Sequence, residues 1–375
     1  MRKIQMVDLQ TQYQHIKSEV DVALQEVIDS CAFINGPAVK RFQENLETYL
    51  GVKHVIPCGN GTDALQVALM ALGLKQGDEV ITTTFTFIAT AEVIALLGLT
   101  PVLVDVYPDT FNIDIEAVER AITPKTKAII PVHLFGQCAD MERLLEMAKK
   151  HNLHIVEDTC QAIGADYVFK DGSVKKAGTI GTMGCTSFFP SKNLGCYGDG
   201  GAVFTNDDAL AHQLRGIVNH GMFVRYYHDL VGVNSRLDSL QAAILDIKLK
   251  HLDNYTQKRQ AAANYYSTAF ANNPHIQTPF TANFTNHVFH QYTLILKDVD
   301  REKLIAYMAE KQIPVMIYYP VPMHLQKAYK DERYTENDFP VSEYLSHNVI
   351  SLPMHTELDN EQLEYITSSL LEFVV

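Results

Sequence analysis

From residue 54 to residue 204 the hydrophobic positions gather into short, β-branched runs separated by stretches of helical spacing. The runs at 54–57, 79–83, 102–106, 128–132, 154–157, 185–189 and 201–204 are mostly apolar, without alternation. A strand with one wet face alternates, so these runs predict strands covered on both faces. Between them the spacing predicts helices at 37–50 (after Asn35-Gly36), 62–72 (ending at Gly73), 86–97 (ending at Gly98) and 140–149 (opened by Asp140 as N-cap). Strand–helix alternation of this length implies an α/β fold with a mostly parallel, doubly wound sheet.

The texture changes after Asp238. Residues 239–270 carry a nearly unbroken helical pattern, read as two helices meeting near Asn254. Beyond them, strand patterns at 292–296 and 314–317 mix with helical ones at 300–311 and 360–372. The chain is therefore expected to divide into a large domain, 1–250, with a helical N-terminal segment, and a smaller C-terminal α+β domain, 251–375.

Charge narrows the functions. The 375 residues include 31 basic and 44 acidic side chains, a net charge of −13. A nucleic-acid binder is usually basic or carries a basic stripe, and no stripe is present. A phosphorylated small ligand remains compatible, because a few converging backbone N–H groups suffice to hold it. The longest uncharged apolar run, 93–104, contains Gly98 and Pro101 and is too short to span a bilayer. The first residues lack the apolar stretch of a signal peptide. The six cysteines have no paired spacing, which suits free thiols in a reducing cytoplasm. The expectation is a cytoplasmic protein with neither membrane nor nucleic acid as partner.

In doubly wound folds the ligand lies beyond the carboxyl ends of the strands, and four segments with chemical potential fall there. Gly59-Asn60-Gly61-Thr62-Asp63-Ala64 is a glycine-rich turn opening a helix, which presents free N–H groups and suits a phosphate. It also fits a dinucleotide-binding pattern. That reading needs an acid at the end of the next strand, whereas Asp78 and Glu79 stand at its beginning. Glu157-Asp158 closes a buried strand, where a carboxylate is costly without a partner. Lys192 follows Phe188-Phe189-Pro190-Ser191 and precedes Gly195 and Gly198-Asp199-Gly200-Gly201. Partial desolvation there would make its amine a usable nucleophile. Asn234-Ser235-Arg236 opens the long helical region, where plain capping is the simpler reading. No metal-ligand set, catalytic triad or P-loop lysine is found.

Taken in order, Asn60-Gly-Thr-Asp-Ala-Leu, His133-Leu-Phe-Gly-Gln, Glu157-Asp, Ser187-Phe-Phe-Pro-Ser-Lys, Gly198-Asp-Gly-Gly, Asn219-His-Gly and Gly232-Val-Asn-Ser-Arg-Leu-Asp resemble the DegT/DnrJ/EryC1/StrS family of nucleotide-sugar aminotransferases. The resemblance implies the aspartate-aminotransferase fold (fold type I) and pyridoxal 5′-phosphate as cofactor. It makes Lys192 the catalytic lysine that carries the cofactor and moves the proton. It makes Asp158 the partner of the pyridine nitrogen and Gln161 that of the ring hydroxyl. Gly61, Thr62, Asp63 and Ser187 would cradle the phosphate. Phe87 would stack on the ring, with Phe85 as second choice. Asn234 would reach the phosphate in a neighbouring subunit, implying a homodimer with shared sites. Arg236, Tyr318, Tyr319 and His324 would face the substrates.

Within the family the likeness is nearest to members that aminate a 3-keto sugar linked to dTDP or UDP, with L-glutamate as amino donor, for surface polysaccharide or related glycans. Many of these carry His-Tyr-Pro where this chain has Tyr318-Tyr319-Pro320, which argues against an acidic sugar. A 4-keto-sugar aminotransferase is the main alternative. A cofactor-dependent sugar dehydratase ranks lower, because Lys192 is present where those relatives have histidine. A nicotinamide oxidoreductase would leave Lys192 without use.

Overall fold

The fold is that of a computed structural model, in which residues 2–374 are described. Its centre is a seven-stranded sheet of β1 (His54–Cys58), β2 (Glu79–Thr83), β3 (Thr100–Val104), β4 (Thr126–Ile130), β5 (His154–Asp158), β6 (Met183–Ser187) and β7 (Gly201–Thr205). The spatial order is β1-β7-β6-β5-β4-β2-β3. Pairs from β3 to β6 are parallel, while β7 runs antiparallel to both of its neighbours. Residues 188–200 between β6 and β7 contain no helix. Parallel return needs a long crossover, so β7 must come back antiparallel beside β6.

Helices cover both faces. Asp8 opens α1 (Leu9–Ser30) by accepting from the Thr11 N–H. Pro37 begins α2 (Pro37–Leu50), which stops at Gly51 in the left-handed region. α3 (Gly61–Ala71) packs on the centre of the sheet and is almost wholly buried. α4 (Ala89–Leu96) starts later than its pattern suggests, because residues 84–88 leave β2 and bend into the cleft described below. The long region divides into α5 (Ser239–Leu249) and α6 (Leu252–Phe270), parting at Lys250-His251, with Asn254 inside α6.

The C-terminal part builds an antiparallel sheet of β8 (Ile276–Gln277), β9 (Tyr292–Leu296) and β10 (Val349–Leu352). Residues 314–317 form no strand there. Only Met316 pairs, with Ser351, and the flanking Pro314 and Pro320 bring no N–H to a ladder. The start of the chain joins this unit: Ile4 lies in its core cluster, and Met6 O accepts from Met354 N at 3.2 Å. The proposed large domain thus lends its first residues to the small one. Among the described residues no helix is long and apolar enough to cross a membrane.

Candidate active site

A cleft of about 770 Å³ opens where the carboxyl ends of β2, β5 and β6 meet the C-terminal unit. Its floor begins at the α3 turn. Asn60 caps the helix, its Oδ1 accepting from Asp63 N at 2.8 Å. Ser235 Oγ then bridges the turn, donating to Asp63 Oδ2 at 2.6 Å and accepting from Gly59 N at 2.9 Å. Asp63 therefore spends both its N–H and its carboxylate on holding the turn. The free donors there are the N–H groups of Gly61 and Thr62, which no helical carbonyl can reach. A Cβ on Gly61 would come within 2.6 Å of Ser187 Cβ and 3.1 Å of Cys160 Sγ. Only glycine lets β6 approach this closely.

β5 separates two carboxylates by its alternation. Glu157 is fully buried on one face. It accepts from Gly178, Ile180 and Gly181 N–H groups at 2.9, 2.7 and 2.6 Å and pairs with His133 Nε2 at 2.9 Å. It is a structural anchor. Asp158 faces the cleft, where Thr90 Oγ1 donates to its Oδ2 and Cys160 N to its Oδ1, both at 3.1 Å. Gln161 is fixed at both ends. Its Oε1 accepts from Phe135 N at 2.8 Å, and its Nε2 donates to Tyr319 Oη at 3.0 Å.

Lys192 reaches the same cleft from the loop after β6. Its amine has no hydrogen bond or ion pair among the described residues. Burial lowers its pKa below the ordinary lysine value, with Cys160 and Asp158 acting in the opposite sense. A larger share of free amine is thus present near neutral pH.

Phe87 also lines the cleft; it is 55% exposed, with its ring centroid 6.4 Å from that of Tyr319. The second choice, Phe85, is fully buried against Phe111 and does not line the cleft. Tyr318 and Tyr319 complete this side.

Three expected residues do not line the cleft of their own chain. Asn234 is exposed and Arg236 half-buried, and neither is among the lining residues. His324 is buried, which removes it from substrate contact. Its Nδ1 lies 2.8 Å from Thr84 Oγ1 and its Nε2 3.1 Å from Glu343 Oε1. Nearby, Asp105 caps α7 (Pro340–Asn348), accepting from Val341 N at 3.0 Å and Ser342 N at 2.9 Å. This stretch of the C-terminal unit is thus stitched to the ends of β2 and β3.

Thr86, His290 and Gln291 also line the cleft and were not singled out from the sequence. The first was hidden in a helical pattern. The other two precede β9 and so stand at the wrong end of a strand for the carboxyl-end rule.

Residues 14–371 match the profile of the DegT/DnrJ/EryC1/StrS aminotransferase family. The chain belongs to this family. Enzymes of the family depend on pyridoxal 5′-phosphate. One relative, a pleiotropic regulatory protein of Geobacillus stearothermophilus, is 47% identical over 372 residues, covering 99% of this chain and 98% of that protein. The UDP-2-acetamido-2-deoxy-3-oxo-D-glucuronate aminotransferase of Pseudomonas aeruginosa is 44% identical, over 98% of this chain and 99% of its own. The crystal structure of S. venezuelae DesV superposes with a TM-score of 0.95 at 39% identity, covering 100% of this chain and 99% of that one. The family's fold is the one seen here, a large mostly parallel sheet with a smaller C-terminal unit.

Proposed function

We propose that this aminotransferase moves the amino group of L-glutamate to the keto carbon of a nucleotide-linked sugar, leaving 2-oxoglutarate and an amino-sugar. The observation that carries the reading is the convergence on one cleft of an unpaired, desolvated lysine, a strand-end carboxylate and an open helix turn. The names of the relatives favour a 3-keto sugar on UDP or dTDP; the proposed destination is a surface or secreted glycan, and the proposed place of synthesis is the cytoplasm.

The cleft fits pyridoxal phosphate. The Gly61 and Thr62 N–H groups suit its phosphate, aided by the Ser187 hydroxyl. Phe87 offers a ring face, Asp158 a carboxylate for the pyridine nitrogen, and Gln161 an amide for the ring hydroxyl. When bound, the cofactor supplies an electron sink that makes the substrate's Cα–H bond acidic. Lys192 then acts as the base that carries the proton between carbons. Asp63, whose N–H and carboxylate are both engaged in holding the turn, shapes the phosphate site.

The proposed assembly is a homodimer in which Asn234 and Arg236, which do not line their own cleft, serve the neighbouring site, Arg236 near an acidic group of donor or acceptor.

The test is the near-visible spectrum of the purified protein. It should show a yellow band that bleaches on addition of L-glutamate. A protein that stays colourless with added pyridoxal phosphate rejects the reading. A second expectation concerns the turn. Gly61→Ala should cost about 1–3 kcal/mol through overpacking against Ser187. It should also weaken pyridoxal phosphate binding, on the order of tenfold, in an absorbance titration. Unchanged affinity would remove the turn from the phosphate site.

A further inference from the structure

His290 lines the cleft and is only 6% exposed. Its Nδ1 is buried without a hydrogen-bond partner. Its Nε2 has one neighbour of note, Gln291 Nε2 at 3.5 Å, which is long for a hydrogen bond. Buried polar atoms in native proteins are nearly always paired, so an unpartnered nitrogen on a residue that lines the cleft points to that imidazole as a group a ligand can engage.

The ring is held ready for it. Arg259, buried on α6, donates from one nitrogen to the carbonyls of Phe289, His290 and Met354 at 3.0, 3.3 and 3.0 Å. The backbone carrying His290 is therefore clamped, and binding a ligand there costs no ordering of the chain. Burial, then the Lys192 and Arg259 cations, hold the imidazole neutral. A neutral imidazole has one donor and one acceptor. That pair matches a hydroxyl or carbonyl oxygen and gives no charge to a carboxylate. Its neighbours on this wall, Gln291 and Tyr318, are uncharged too. The carboxylates of the amino donor are therefore poorly served here, and the hydroxyl-rich sugar is well served.

We propose that His290 is a specificity-determining residue that hydrogen-bonds an uncharged hydroxyl or carbonyl oxygen of the acceptor sugar. This rests on the acceptor being a nucleotide-linked sugar, and the experiment separates the two ideas. Calorimetry would compare cofactor-loaded parent, His290→Leu and His290→Asn for binding of UDP-N-acetylglucosamine and dTDP-glucose, with UDP and dTDP alone as references. His290→Leu should bind the sugar nucleotides on the order of tenfold more weakly, with the affinity for UDP and dTDP unaltered. His290→Asn, which keeps a donor and an acceptor, should recover part of the loss. Equal sugar-nucleotide affinity in parent and His290→Leu overturns the proposal. So does a loss that extends equally to the bare nucleotides, or to the bleaching by glutamate. If the parent binds neither sugar nucleotide more tightly than its nucleotide alone, the acceptor reading fails and takes the proposal with it.

Discussion

Replacing Lys192 with alanine should reduce amino transfer at least ~10³-fold while the protein still folds. The two halves of this expectation have separate causes. Turnover falls because no other cleft residue offers an amine that can both join a carbonyl and carry a proton. His290 is held neutral by burial, and the remaining charged groups there, Asp63, Asp158 and Asp199, are carboxylates. The fold survives because the Lys192 amine supports no hydrogen bond or ion pair among the described residues. Removing a half-buried charge without partners relieves a desolvation cost and breaks nothing. Thermal unfolding and steady-state turnover measured on the same preparation check both halves. Parental turnover in the alanine variant would reject the mechanism.

Asp158→Asn should be nearly as damaging, about 10²–10³-fold in the glutamate step. The local bonds can be kept, since an amide oxygen can still accept from Thr90 Oγ1 or Cys160 N. What is lost is the negative charge at the end of β5. A neutral amide cannot keep a ring nitrogen protonated, and the withdrawal of electrons from the substrate weakens accordingly. Rapid-mixing absorbance with L-glutamate isolates this step. A near-normal rate would show that the carboxylate serves position and not charge.

Much of this site was legible because its residues obey one rule. The runs that became β1 to β7 are apolar and unalternated, and Gly61, Asp158, Ser187 and Lys192 lie at or just after such runs. Direction was not legible. Nothing in the composition of Gly201–Thr205 says that β7 runs against its neighbours; the missing helix in residues 188–200 does. His324 follows Tyr318-Tyr319-Pro320 closely and was grouped with them, but the chain turns beneath Thr84 and buries it. His290 escaped notice because its position depends on Arg259 reaching across from α6, a contact no local pattern encodes. The role of Asp63 likewise depends on Ser235, far along the chain.

The stitching of His324 to Thr84 and Glu343, and of Asp105 to the start of α7, has a consequence for how the molecule opens. The wall that carries Tyr318 and Tyr319 hangs from the same hydrogen bonds that finish β2 and β3. Fraying of either unit at this seam therefore dismantles the cleft and loosens the other unit with it. Amides on the two sides should share one protection against solvent exchange, so that integrity of the binding surface and cooperativity of the whole chain are a single property.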